Sequence, residues 1–382
     1  MNKDDMHTLA SKLYEDKKLN EALETYKKII TDYCPNDEVA LSCIMDIYLE
    51  LDDKFNYYLA RANVNIGQNK YDYAISDTIK ALNLDNENIM ARRKLARLYK
   101  VTNQNLKAID EFIKIINLSK EEKDAYFELV DLYMKENSID SALSIANELL
   151  TLFPNDKEAR NMTAQLYFKA NDFEKALEVV EDNLLKIKIL LQAEKNDSAK
   201  EELEKINYNS LNDNQKASFH ILRAQYFYNT NDCENALGEV EAFVKIAKPN
   251  PVAFQMKALI YEKLNDEFQA HLNWGFCYKL QGKFDEALVE FDSAYRINEK
   301  DKTVLIELAN LYQQNKERWV AIEYWQKVYE LDGDKQAQEI LAEFYYSEGN
   351  FRKAEEYGKV VEHKQENYEG FLDKIMHLFA KK

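Results

Sequence analysis

Apolar residues recur every three or four positions along almost the whole chain, the spacing that gathers them on one face of a helix. The stretch 274–294, WGFCYKLQGKFDEALVEFDSA, reads as one complete unit. A first helix carries Trp274, Gly275 and Tyr278, a turn follows at 281–282, and a second helix carries Ala287, Phe291 and Ala294. The small residue of the second helix permits close approach to the first, where another small residue lies twelve positions earlier. The same pairing returns as Ala10/Ala22, Ala62/Ala74, Ala96/Ala108, Val130/Ala142, Ala164/Ala176, Ala224/Ala236, Ala309/Ala321 and Ala342/Ala354, with Val130 the exception in size. Three positions after the first member stands an aromatic residue: Tyr99, Tyr133, Tyr167, Phe227, Tyr278, Tyr312 and Tyr345, replaced by Leu13 and Asn65 in two units.

Successive second-helix alanines set the period. The steps Ala74 to Ala108, Ala108 to Ala142, Ala142 to Ala176 and Ala287 to Ala321 are each 34 residues, and Ala321 to Ala354 is 33. Pro35, Pro154 and Pro249 fall where units end, as a residue unable to continue a helix should, and Asp37 and Asp156 then offer side-chain caps to the next helix. In these residues the chain resembles the tetratricopeptide-repeat family, whose period is about 34 residues. The resemblance implies an all-α solenoid, a right-handed superhelix of about nine helix-turn-helix repeats with extra single helices, that holds other proteins.

Two steps depart from the period: Ala22 to Ala74 is 52 residues and Ala236 to Ala287 is 51. Each is one repeat plus about one helix, which predicts extra helices at 37–51 and 251–264. The coincidence suggests an internal duplication at a shift of 213, as in Val39-Ala40 against Val252-Ala253. One added helix reverses the alternation of helix direction, so a break or change of path is expected near 37–55 and 251–268. Phase decays after Ala176, with two short degenerate helices expected within 184–206 and a polar break at 210–214. The division is therefore into an N-terminal array, 3–209, and a C-terminal array, 215–382, the latter closed by a capping helix at 367–382.

Composition narrows the class further. Eight Gly and four Pro in 382 residues leave little material for sheet turns, and 46% hydrophobic residues suffice for a core. The net charge of −17 repels nucleic acid, whose affinity for proteins comes mainly from Lys and Arg on phosphates, and disfavours an anionic membrane. No stretch is apolar and long enough for a membrane span, and the start lacks the apolar run of a signal peptide. Cys34, Cys43, Cys233 and Cys277 form no CxxC pair and read as reduced thiols of a cytoplasmic protein.

No catalytic constellation emerges. There is no glycine-rich phosphate loop, no zinc-spaced histidine pair and no Gly-x-Ser-x-Gly elbow, so neither catalytic residues, a metal nor a cofactor is expected. Two surfaces on first helices are candidates for a partner. Arg93, Lys94, Arg97 and Lys100 form a basic strip, able to grip carboxylates of a partner or to pair internally with Asp124, Glu128 and Asp131 of the next unit. Leu272, Phe276, Ile306 and Tyr346, beside Asn273, Asn310 and Gln313, form an apolar groove with amides for a peptide backbone. Trp274, Trp319 and Trp325 all lie in this later half, the first and last at packing positions of the repeat. The residues matching a chaperone carboxylate clamp are His7, Ser11, Ala60, Met90 and Lys94 in the first array, of which only Lys94 suits that role.

The expected function is a non-enzymatic scaffold or adaptor that binds a segment of another protein or a peptide in its concave groove. Rival expectations are a peptide-responsive regulatory receptor and a subunit of an enzyme complex.

Overall fold

The computed structural model describes residues 2–35, 37–248 and 250–359. Among the described residues there are twenty-two α-helices, one 3-10 turn at Tyr208–Ser210, and no strand. The chain divides into two compact units, Met1–Ile189 and Leu190–Lys382. The first holds α1 (Lys3–Glu15), α2 (Leu19–Asp32), α3 (Glu38–Glu50), α4 (Lys54–Gly67), α5 (Tyr71–Leu84) and α6 (Ile89–Val101). It continues with α7 (Asn105–Leu118), α8 (Lys123–Lys135), α9 (Ile139–Leu152), α10 (Lys157–Lys169) and α11 (Phe173–Val179). The division falls within α12 (Asn183–Gln192). The second unit holds α13 (Asn196–Glu204), α14 (Asp213–Asn229), α15 (Cys233–Ile246), α16 (Pro251–Lys263) and α17 (Glu267–Leu280). It ends with α18 (Phe284–Ile297), α19 (Lys302–Gln314), α20 (Arg318–Asp332), α21 (Lys335–Ser347) and α22 (Phe351–Glu356). The cap helix expected at 367–382 lies outside the described residues.

Each unit is a solenoid of paired helices, and the small residues make the pairs. Every alanine of the twelve-residue pairs is buried, as are Val130 and Gly275. A methyl group or less at these positions lets two helices close on each other, and large side chains one turn on fill the remaining space. Tyr26, Phe112, Phe291 and Trp325, each four residues after a second-helix alanine, are all within 2% of complete burial.

The turn inside each pair is equally regular. Three residues link the helices and the middle one is left-handed, at Lys17, Asn69, Asn103, Asn137, Asn171, Asn231, Gly282, Lys316 and Gly349. After α6 the Asn103 N–H donates to the Lys100 carbonyl at 3.1 Å and the Gln104 N–H to that of Tyr99 at 2.8 Å. Those two bonds satisfy carbonyls the helix end would otherwise orphan. Asp52, Glu194 and Asn265 are left-handed in three-residue turns of the same kind. Helix α3 is thus joined to α4, and α16 to α17, as members of a pair are joined. Helices α4 and α17 serve twice, each the second of one pair and the first of the next. In α17 two small residues do this: Ala270, twelve positions after Ala258, and Gly275, twelve before Ala287. Packing continues from neighbour to neighbour through both places, α3 between α2 and α4 and α16 between α15 and α17.

Between pairs, a lysine at the start of one first helix reaches the capping aspartate of a later one. Lys3 meets Asp37 at 2.6 Å, Lys123 meets Asp156 at 2.7 Å and Lys302 meets Asp334 at 2.8 Å. Each of these aspartates accepts a backbone N–H of its own helix, Ala40, Ala159 or Ala337, at 2.9 Å. Burial alone would raise the Asp37 carboxyl, but Lys3, the Ala40 N–H and His7 outweigh it and hold its pKa at about 2. A depressed folded pKa means the stabilisation is complete above the ordinary carboxylate value and is lost as pH falls through the folded one. Asp37→Ala is therefore expected to cost about 1–2 kcal/mol at neutral pH through the lost cap and ion pair. The gap between variant and parent should narrow below about pH 4 and lose its ion-pair part only below about pH 2 in urea unfolding.

Candidate functional site

The basic strip occupies α6. Spacings of four and three residues bring Arg93, Arg97 and Lys100 to one side of the helix, and α8 packs its acids against that side. The Arg93 guanidinium donates to Glu122, and Lys100 donates to Glu128 and lies 3.5 Å from Asp131. The Nε of Arg93 is buried without an acceptor. Lys94 donates to the Asn63 side-chain carbonyl on α4 and has no carboxylate beside it among the described residues; burial lowers its pKa from the ordinary lysine value. Arg97 is exposed and has no hydrogen-bond or ion-pair partner among the described residues. Two cations of the strip are thus drawn into the stack, and two, Lys94 and Arg97, stand without a carboxylate partner among the described residues.

The second set of residues spreads over three first helices of the second unit. Phe276 is half-buried between two rings, 5.2 Å from Phe254 on α16 and 5.3 Å from Phe291 on α18. Leu272 packs into the same cluster, and Ile306 packs against the cluster formed by α19, α20 and α21. Asn273 is buried and its side-chain N–H donates to the Gln269 carbonyl at 2.7 Å, one turn back on its own helix. Asn310 and Gln313 are exposed. Tyr346 is 43% exposed, with its ring 5.4 Å from that of Phe351 and the Lys359 ammonium 5.2 Å from its centroid.

Gln313 leads to a concavity that pattern reasoning did not find. A cavity of about 530 Å³ opens where the end of α19, the start of α20 and one side of α21 converge. Its apolar lining is Ile322, Ile340 and Phe344, and its polar rim is Gln313, Arg318, Glu339, Glu343 and Ser347. Arg318 is oriented by Ser347 at 3.3 Å and Glu348 at 3.5 Å, and lies over the Phe344 ring at 5.3 Å. Trp319 is 60% exposed, its ring edge-on to Phe344 at 4.8 Å. A sequence signal for Trp319 existed: it is the tryptophan outside the packing positions. Trp325, by contrast, is 1% exposed. A second cavity, of about 460 Å³, lies along α17 beside Trp274 and Tyr278.

Among the described residues no group of three or more His, Cys, Asp or Glu is set to hold a metal ion, and no helix is long and apolar enough to cross a membrane.

The tetratricopeptide-repeat family model matches residues 133–182. Comparison with curated proteins finds no match. Among solved structures, Naa15/Naa10 bound to HypK-THB is 12% identical, with 96% of this chain and 69% of that chain covered and a TM-score of 0.36. A tetratricopeptide repeat protein from Parabacteroides merdae ATCC 43184 is 14% identical over 81% of this chain and 98% of that one, with a TM-score of 0.34. MamA is 19% identical over 50% and 96%, with a TM-score of 0.28.

Proposed function

We propose that this chain, which is a tetratricopeptide-repeat protein, is a non-enzymatic scaffold that holds a segment of another protein against the first helices of its second unit. The fold supports a protein-interaction scaffold in general; the observation that carries the finer reading is the cavity at α19–α21, with the exposed Trp319 packed edge-on to its lining residue Phe344. An apolar floor of Ile322, Ile340 and Phe344 offers area for an anchoring side chain. Gln313, Ser347 and Glu339 stand around it with groups for a peptide backbone. A tryptophan beside a pocket is the residue type most enriched among interface hot spots. The helices around the cavity are already packed, so binding orders little of the receptor and more of the contact energy appears as affinity. The partner is a protein rather than nucleic acid, given the charge of −17. Its place is the cytoplasm, in keeping with four unpaired cysteines. Lys94 and Arg97 form a second station in the first unit, where carboxylates of the partner would find unpaired cations.

Capture from lysate with identification of the bound protein tests the reading. Trp319→Ala and Ile340→Ser should each weaken capture of the identified partner by about 10-fold or more, as removal of a hot-spot anchor does. Leu106→Ala, on an exposed residue of the first unit, should leave capture unchanged. Undiminished capture by both cavity variants would reject this surface as the site.

A further inference from the structure

Helix α17 is flanked by α16 on one side and α18 on the other, and the second cavity follows its stripe Ala270, His271, Trp274 and Tyr278. The wall there is aromatic: the Trp274 and Tyr278 rings stack with centroids 5.5 Å apart and planes 22° from parallel. Three carboxylates surround it, Glu262 from the end of α16, Glu267 from the start of α17 and Glu290 from α18. Two of the three are held in place. Glu262 accepts the Trp274 indole N–H at 2.6 Å, which fixes the plane of the ring, and Glu290 pairs with the His271 Nδ1 at 2.7 Å.

What this cavity lacks among the described residues is a lysine or arginine; its one basic group is the His271 imidazole, already paired with Glu290. Neither Glu262, Glu267 nor Glu290 forms an ion pair with a lysine or arginine, whereas Glu111, Glu122, Glu128 and Glu307 elsewhere all do. Lys283 stands 5.8 Å from the Tyr278 ring centroid and does not line the cavity. Burial first, and then charges including Glu290 and Glu262, push the Tyr278 hydroxyl up from its ordinary pKa, in keeping with a negative field at that wall. An aromatic face attracts a cation through its quadrupole, most strongly for tryptophan, and a recess with fixed carboxylates adds direct charge pairing.

We propose that this cavity is a receptor for a single cationic side chain, a lysine ammonium or arginine guanidinium projecting from a partner segment. The cation lies against the Trp274–Tyr278 pair and takes Glu262 and Glu267 as its counter-ions, with Glu290 completing the far side. A volume of about 460 Å³ holds such a side chain together with its flanking backbone. This site is separate from the α19–α21 cavity and does not depend on a peptide binding there.

The Trp274 indole N–H, bonded to Glu262, is a reporter inside the site. In ¹⁵N-labelled full chain its resonance is assigned by its loss in Trp274→Phe, and that of Trp319 by Trp319→Phe. The probes are three capped pentapeptides, Gly-Gly-X-Gly-Gly with X as Lys, Arg or Gln, added at about 0.15 M salt so that diffuse attraction to an acidic protein is screened. The expected result is a saturating shift of the Trp274 indole with the Lys or Arg peptide, none with the Gln peptide, and a still Trp319 resonance. Glu262→Gln and Glu267→Gln should each raise the Kd about 10-fold or more; Glu267 is exposed, so its replacement leaves the fold intact even if Glu262→Gln disturbs the indole. An unmoved Trp274 resonance, an equal shift with the Gln peptide, or an unchanged Kd in Glu267→Gln would overturn the proposal.

Discussion

Phe291→Ala is expected to destabilise the second unit by about 3–5 kcal/mol, the range for emptying a buried phenylalanine site, and to reverse the sign of a second change, Gly275→Ala. Phe291 is fully buried on α18, edge-on to Phe276. A Cβ built on Gly275 would lie 2.6 Å, 2.7 Å and 2.8 Å from three carbons of the Phe291 ring. That ring has to move for any larger residue to fit, and it is fully buried and edge-on to Phe276. In the parent chain Gly275→Ala therefore carries an overpacking cost of about 1–3 kcal/mol, set against a gain of about 1 kcal/mol in helix propensity. The difference is a net loss of about 0–2 kcal/mol, centred on about 1 kcal/mol. It stays below that ceiling because Ala96 and Phe112, at the matching positions of an earlier unit, are both accommodated. Once Phe291 is alanine the obstacle is gone and only the propensity gain remains, so the same substitution should stabilise.

All three tryptophans, Trp274, Trp319 and Trp325, lie in the second unit, so their fluorescence during urea unfolding follows that unit separately. This matters because a repeat array need not unfold in one step. A stabilising Gly275→Ala in the parent chain would show that the close approach to Phe291 is not what the glycine serves.

The same residues show what the sequence could reveal. The twelve-residue pairs were legible because burial of a small side chain between two helices is a local demand repeated with the period. The turns were legible where Asn or Gly occupies the left-handed position, as at Asn103 and Gly282, since these types adopt positive φ at low cost. They were hidden at Glu194, a residue type that carries no such signal, and faint at Asp52, which nothing singles out within the run Asp52-Asp53-Lys54. The join of α3 to α4 therefore reads as an odd helix followed by a fresh unit. At Asn265 the turn residue was visible, but α17 carries two registers five residues apart, Ala270 and Gly275, and the stronger one masks the other.

The candidate surfaces were legible in part. The spacing of Arg93, Arg97 and Lys100 identifies a shared side of α6. That Arg93 meets Glu122 depends on a residue at the edge of α8, outside the helical stripe that points to Glu128 and Asp131. The groove residues carry the right period, yet Asn273 is turned back onto Gln269 because α17 is covered on two sides. Trp319 and the α19–α21 cavity depend on how three helix ends converge, which no spacing within one helix encodes.

In the first unit, Arg61→Met is expected to cost about 3 kcal/mol and Arg61→Met/Asp77→Leu considerably less, because a lone buried charge is worse than no charge. Asp77 is 4% exposed, three residues after Ala74 in α5, a position held by Glu111, Glu239 and Glu290 in other units. There the partner stands four residues before the first-helix small residue, as Arg92, His220 or His271. In α4 that place is Tyr58, and Arg61 takes over. Its Nε donates to Asp77 at 2.8 Å and its Nη2 at 2.5 Å, while its guanidinium lies 5.2 Å and 5.3 Å from the Tyr57 and Tyr58 ring centroids. Removing Arg61 leaves the carboxylate with Asn65 at 3.0 Å and Lys80 at 3.6 Å, too little to replace a two-pronged partner but enough to keep the loss at the lower end of the usual 3–5 kcal/mol. Asp77→Leu alone should be milder, since the Arg61 side chain is 33% exposed and can turn to water. The ordering Arg61→Met worst, then Asp77→Leu, with the double change recovering at least half of the Arg61→Met loss, can be read from far-ultraviolet circular dichroism during urea unfolding. If Arg61→Met costs under about 1 kcal/mol, as an exposed pair would, Asn65 and Lys80 suffice for Asp77 and the clasp between α4 and α5 is not what fixes this pair.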